Sequence, residues 1–261
     1  MIKADLEFFR QWFSGFCKSF YTADIGDQKN ILLKEQHTFK VCENMIAIVK
    51  GLSLNDNHLM PAETVALFHD IGRFPQYARF KTFRDVISVN HGLLGAETLI
   101  EHKVLQNLPP EEQELIIESV KFHNAFSVPK KEREDINLFI KLIRDADKLD
   151  IWRVFLEHFE GPPETMAEAI TLGLPDTPEY SQEVLSHIFK KETAPHLQVR
   201  TVNDFKLLQL SWVFDLNFKP TFELLSEHGY IDRLASHLPQ TEEIRQATVF
   251  VKEFLRQSLK E

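Results

Sequence analysis

Six side chains stand out for the chemistry their types could do together: His37, His69, Asp70, His91, His123 and Asp147. Each lies on, or at the end of, a stretch with helical periodicity, mostly beside apolar neighbours, and is expected to face inward. Four imidazoles and two carboxylates left unsatisfied in a core would cost about 1–3 kcal/mol each. Metal ions would satisfy all of them at once. Imidazole with carboxylate and without thiolate suits Mn, Fe, Co, Ni or Zn and argues against a structural cysteine-type zinc site. Six ligands exceed what one ion needs, so a pair of divalent ions sharing a carboxylate fits better, and their identity stays open among Mn, Fe, Co, Ni, Mg and Zn. Asp70, placed between two ligand groups in the sequence, is the natural bridge. Such a pair activates a bridging hydroxide and clamps an oxyanion during in-line attack on phosphorus.

A basic run follows the His69-Asp70 pair. In "GRFPQYARFKTFRD", Arg73, Arg79, Lys81 and Arg84 cluster between Asp70 and His91. Guanidinium groups grip phosphate in a bidentate way, which makes Arg73 the first candidate for a substrate-phosphate contact and Arg79 or Arg84 the second. For Arg79, Lys81 and Arg84 the ordinary alternative is a solvated loop. Lys148, beside Asp147, is a weaker candidate, with pairing to a nearby acid as its alternative. The remaining histidines (58, 102, 158, 187, 196, 228 and 237) have no such context and are expected at the surface or in caps.

Helices must carry these groups. Apolar residues Val41, Met45, Ile48 and Val49 predict a helix over 37–50, with His37 one turn before its inward face. "MPAETVALFHD" starts near Pro61 and is apolar nearly all round from Val65 to Phe68, which predicts a central helix ending at His69-Asp70. Further helices are expected from Asn90-His91, from Pro109-Pro110 through Ile116, Ile117 and Val120 to His123, and over 134–159, where Asp147 falls four residues after Ile143 on the inward stripe. The first helix should pack Phe8, Phe9, Trp12, Phe13 and Phe16 onto the body. "EGPPETM" at 160–166 is the strongest breakpoint. It predicts a ligand-bearing core over 1–160 and an extension over 161–261. Three or four more helices are expected there, one introduced by a Thr201–Asp204 capping box. Trp212 is read as packing, and the extension's role as a lid, a homodimer surface or a longer core stays open.

Composition agrees with an all-α chain. Glycine is scarce at 9 of 261 residues, and 22 phenylalanines suggest a core of large rings. The net charge of −9 argues against broad nucleic-acid binding, which needs a positive surface. A local basic patch could still hold a small phosphate-bearing substrate. Cys17 and Cys42 have no metal-type spacing and read as buried thiols of a cytoplasmic protein. Charges interrupt the N-terminal apolar residues, and no long uncharged run predicts a membrane span.

The order His37…His69-Asp70…Asp147 resembles the H…HD…D signature of the HD superfamily of metal-dependent phosphohydrolases. His91 and His123 match the two additional histidines of its binuclear members. "HDIGRF" is similar to the "HDIGK" stretch of the cyclic-dinucleotide phosphodiesterase branch, "HGLLGAETL" to its "HPxxGxxxL", and "RDADKLD" to the segment with the last aspartate. That branch's Gly-Tyr-Pro motif does not follow His123, where the sequence runs "HNAFSVPKKE" and Asn124 replaces a second consecutive histidine. The resemblance therefore implies an HD-type helical bundle with a C-terminal helical extension. It also implies a generic phosphohydrolase, with Asp70 and Arg73 at the reacting centre and a phosphomonoester or phosphodiester of a nucleotide-like molecule as substrate. Two other outcomes stay open under the same resemblance: a di-iron oxygenase similar to myo-inositol oxygenase, and a non-catalytic ligand-sensing module.

Overall fold

The computed structural model describes residues 1–161 and 168–260. It divides into two compact units, Met1–Asp150 and Ile151–Glu261. No strand occurs among the described residues, so the all-α expectation holds. The division falls within a helix, and residues 162–166 of the expected Gly-Pro-Pro breakpoint lie outside the described residues.

The first unit begins with α1 (Lys3–Lys18) and α2 (Ile25–Gly51). α2 starts well before the helix expected from His37, because its first half, "IGDQKNILLKEQ", shows no regular apolar stripe. Its start is fixed locally: the Asp24 side chain accepts a hydrogen bond from Asp27 N at 2.8 Å, a normal N-cap. α3 (Leu59–Phe68) is buried from Val65 through Phe68 and packs against α1 and α2, the central position expected of it. On α1, Phe9 and Phe13 are buried, and Phe9 meets Phe68 edge-on at 5.6 Å. Trp12 and Phe16 are half-buried, whereas Phe8 is 48% exposed. The expectation for Phe8 is thus corrected: it lies next to Phe9 but off the buried stripe.

"GRFPQYARF" is a helix as well as a basic run. α4 (Arg73–Phe80) starts three residues after Asp70, and Pro75 is tolerated in its first turn, where backbone N–H groups have no helical partner. α5 (His91–Glu101) is capped by the Asn90 side chain, which accepts from Leu93 N at 2.9 Å. α6 (Pro110–Phe122) starts at the double proline and ends at His123. The long α7 (Glu134–Glu160) carries Asp147 in the part that belongs to the first unit.

The second unit holds α8 (Gln182–Phe189), α9 (Val202–Ser211), α10 (Lys219–Glu227), α11 (Tyr230–Ser236) and α12 (Glu242–Ser258), one helix more than expected. Short α8 and α11 carry too few turns to show a clear period. The capping box forms: Thr201 Oγ1 accepts from Asp204 N and Asp204 Oδ2 accepts from Thr201 N. Trp212 is buried, with its ring 5.8 Å from Trp152. No described helix is long and apolar enough to cross a membrane.

Close backbone approach brings the ligand-bearing segments together. A Cβ at Gly72, in the turn after Asp70, would lie 2.2 Å from His91 O and 2.6 Å from Gly95 N. One at Gly92 would lie 2.6 Å from Asn124 Oδ1 and 2.9 Å from Lys121 O. These glycines let the Asp70 turn sit against the start of α5, and α5 against the end of α6. Gly72→Ala is expected to cost about 2 kcal/mol or more, since backbone must move to admit the methyl group. Gly15→Ala, on the exposed face of α1 with nothing within 4 Å, should stabilise by up to about 1 kcal/mol. Thermal unfolding checks the pair. A Gly72→Ala melting point equal to wild type would contradict the packing argument.

Candidate metal centre

Two of the four histidines end their helices. His69 follows the last residue of α3, and its Nδ1 donates to Ala66 O at 2.7 Å. His123 follows the last residue of α6, and its Nδ1 donates to Val120 O at 2.7 Å. A helix end leaves carbonyls without backbone partners, and here the imidazole supplies the missing donor. A carbonyl can only accept, so in the neutral ring the proton sits on Nδ1 and the Nε2 lone pair points away from the helix.

The other two histidines are held by carboxylates. His37, within α2, has Nδ1 2.6 Å from Asp150 Oδ2 on α7. His91, the first residue of α5, has Nδ1 2.7 Å from Asp85 Oδ2. Asp85 is held in turn by Asn124 Nδ2 at 2.9 Å and by Arg73 Nη1 and Gln76 Nε2, each at 2.9 Å. Carbonyl or carboxylate behind Nδ1 is the arrangement that orients metal-ligating imidazoles.

All four Nε2 atoms converge. Those of His37 and His69 are 3.3 Å apart, and those of His91 and His123 are 3.0 Å apart. The two pairs meet at Asp70, which divides its oxygens between them. Oδ2 lies 3.6 Å from His37 Nε2 and 3.9 Å from His69 Nε2. Oδ1 lies 3.3 Å from His91 Nε2 and 3.7 Å from His123 Nε2. Asp147 joins the first pair only, with Oδ1 3.0 Å from His37 Nε2 and 3.6 Å from His69 Nε2. That oxygen is buried and makes no hydrogen bond. The residues present fit cations on this observation: converging lone pairs and an unpaired buried carboxylate oxygen repel one another unless positive charge lies among them. His37, His69 and Asp70 could hold one ion, and Asp70, His91 and His123 another.

The chain's own charges keep the carboxylates ionised. Burial alone would push Asp70 and Asp147 up. Lys34, His69, His123 and Arg73 instead hold Asp70 well below the usual carboxylate range, and His37 and His69 do the same for Asp147. Burial likewise opposes the charged form of Asp85, yet His91 and Arg73 bring its carboxyl below the usual range. His91 is lowered to about 3 by burial and by Arg73, so its ring is neutral at ordinary pH. Burial and Lys34 pull His37 down, but Asp147 and Asp150 face its two nitrogens and carry it up to about 9. A cation bound between His37 and Asp147 would take the place of that proton.

The structure brings all six expected ligands and Arg73 together. Arg73 Nε lies 3.4 Å from Asp70 Oδ1, and Nη1 donates to Gln76, to Phe83 O and to Asp85. Arg73 thus ties Asp70 to the aspartate behind His91. Arg79 stands on the exposed side of α4, 5.0 Å from the Phe80 ring centre. Arg84 is half-buried beside Asp85, and Lys148 is buried in α7. Lys81 pairs with Asp27, away from the ligand set.

Sequence reasoning missed Asp85, Asp150 and Lys34, whose Nζ is 2.8 Å from Asp70 Oδ2. A signal existed for two of them. Asp150 follows Asp147 by three residues and Lys34 precedes His37 by three, which is helical spacing on one face. Asp85 precedes α5 in a short 3-10 turn and had no such mark.

Asp150→Asn should weaken binding of the ion at the His37 pair about 10- to 100-fold, because the supporting carboxylate sets both orientation and basicity of the ring. Titration of the metal-free protein with Mn(II) measures it. Wild-type affinity in the variant would show that Asp150 does not support the ligand.

Neither the curated proteins nor the solved structures contain a match to the chain. The family model of the HD domain matches residues 35–152, a span that includes all six converging side chains. With that match and the His/Asp geometry together, residues 35–152 form an HD domain whose clustered histidines and aspartates fit a metal-binding site.

Proposed function

We infer that the protein is a metal-dependent phosphohydrolase cleaving a phosphomonoester or phosphodiester of a nucleotide-like substrate. HD domains form a superfamily of metal-dependent hydrolases, and the observation that carries the finer reading is the division of Asp70. Each of its oxygens faces a separate histidine pair, an arrangement suited to two ions sharing one carboxylate. Divalent ions in such a site supply Lewis acidity towards phosphoryl oxygens and acidify water at neutral pH.

The chain's residues would then divide the work. His37, His69 and Asp147 hold one ion, His91 and His123 the other, and Asp70 fixes the spacing between them. Asp150 and Asp85 keep His37 and His91 presenting Nε2 inward. Arg73 holds Asp70 and Asp85 in register, and its positive charge favours an anion at the same place. Arg84, with no partner for its guanidinium among the described residues, is the second cation available to a phosphate. Two free, buried thiols suit a reducing compartment such as the cytoplasm.

The test is hydrolysis of a nucleotide panel and a generic phosphodiester by metal-free protein reloaded separately with Mn(II), Fe(II), Co(II), Ni(II), Mg(II) or Zn(II). Turnover should depend on the metal and fall at least about a thousandfold in Asp70→Asn, a loss of about 4 kcal/mol in transition-state stabilisation, with the helical circular dichroism retained. Unchanged turnover in Asp70→Asn would remove the shared carboxylate from the reaction, and no hydrolysis with any metal would remove the phosphohydrolase.

A further inference from the structure

The carboxylate at the centre of the site already carries a positive charge. Lys34 precedes His37 by about one turn of α2, just outside the HD-domain match. Its Nζ lies 2.8 Å from Asp70 Oδ2, and its side chain is 16% exposed, so the ammonium reaches from solvent to a nearly closed-off carboxylate. It also stands 5.3 Å from the centre of the Phe83 ring, over an apolar face. An ammonium has three donors, and Asp70 is the one hydrogen-bond acceptor of Lys34 among the described residues. Two donors are left for a further acceptor.

The other cations nearby are differently placed. The Nη1 of Arg73 is committed to three acceptors, and its Nε faces Asp70 Oδ1. Arg79 lies over Phe80 and Lys81 on Asp27. Lys34 combines direct contact with Asp70 Oδ2, partial exposure and spare donors.

The oxygen that Lys34 holds is the one that faces His37 and His69. A cation held by those imidazoles and Oδ2 must share that oxygen with the ammonium, and two like charges on one carboxylate oxygen repel. The ammonium and the ion therefore compete for Asp70. The same loading turns a locality dominated by Asp70 and Asp147 into one that attracts anions, at the end of a flexible side chain with unused donors. We propose that Lys34 is a phosphate-binding residue of this site, in addition to the arginines. It is held on Asp70 in the metal-free chain and released by metal loading to donate to the phosphoryl oxygens of the substrate. The proposal deepens the phosphohydrolase reading and rests on it for the reaction, but not for the binding behaviour.

Isothermal titration calorimetry of wild type, Lys34→Met and Lys34→Arg tests it in two stages: metal-free protein with Mn(II), then Mn-loaded protein with inorganic phosphate. Lys34→Met should bind Mn(II) about tenfold more tightly, having lost the competing charge. It should bind phosphate roughly ten- to a hundredfold more weakly, having lost a charged donor. Lys34→Arg should bind phosphate within about tenfold of wild type, because it keeps charge and donors. Mn(II) affinity that is unchanged or lower in Lys34→Met overturns the proposal. So does unchanged phosphate affinity in that variant, or a Lys34→Arg protein that binds phosphate no better than Lys34→Met. Neither titration uses turnover, so absence of ester hydrolysis by wild type would count against the phosphohydrolase reading alone.

Discussion

The structure of the first unit depends on one carboxylate. Asp70 sits buried with each oxygen turned to a different pair of imidazoles, and with Lys34 and Arg73 held against it. A buried carboxylate is costly unless paired. Here the pairing draws together the ends of α3 and α6, the start of α5, and interior positions of α2. Asp147 of α7 completes the first histidine pair. That makes the two candidate subsites unequal: Asp147 Oδ1 stands as a further carboxylate oxygen beside His37 and His69, whereas Asp70 is the carboxylate shared with His91 and His123. The subsite without that further oxygen leaves more room for water or substrate at its ion.

Local backbone chemistry does much of the aiming. His69 and His123 each point Nε2 inward because their Nδ1 donates to a carbonyl that the helix end leaves free. This explains why a buried helix ends on a His-Asp pair: termination supplies the acceptor that turns His69 Nε2 inward, and the next residue, Asp70, faces both histidine pairs. Gly72 and Gly92 then set how closely these ends approach. Substituting either glycine would separate elements that the ligands need within about 4 Å of one another, so packing and site geometry are set by the same contacts.

The six converging residues were legible in the sequence because each belongs to a helix with a readable apolar stripe or a clear terminus. The supporting residues were harder. Asp85 reaches His91 through a short turn whose position depends on α4 and α5 packing, and nothing in "TFRDVIS" marks it. Arg73 was legible as a cation beside the ligands. Its commitment to Asp85, Gln76 and Phe83 was not, since those partners are brought in by the fold. The first half of α2 shows no regular apolar stripe, because Ile31, Leu32 and Leu33 are consecutive, so the only mark of Lys34 was its spacing of three from His37. Phe8 shows the opposite error: an aromatic cluster in α1 suggests five packed rings, but the helix has only one buried face.

The most direct test of the central claim, that Asp70 joins two cation sites, is electron paramagnetic resonance of the metal-free protein titrated with Mn(II). The account predicts that two ions bind per chain and that the second produces the spectrum of an exchange-coupled pair, since one carboxylate links them. A single equivalent of bound Mn(II), or two equivalents giving only isolated-ion signals, would contradict it.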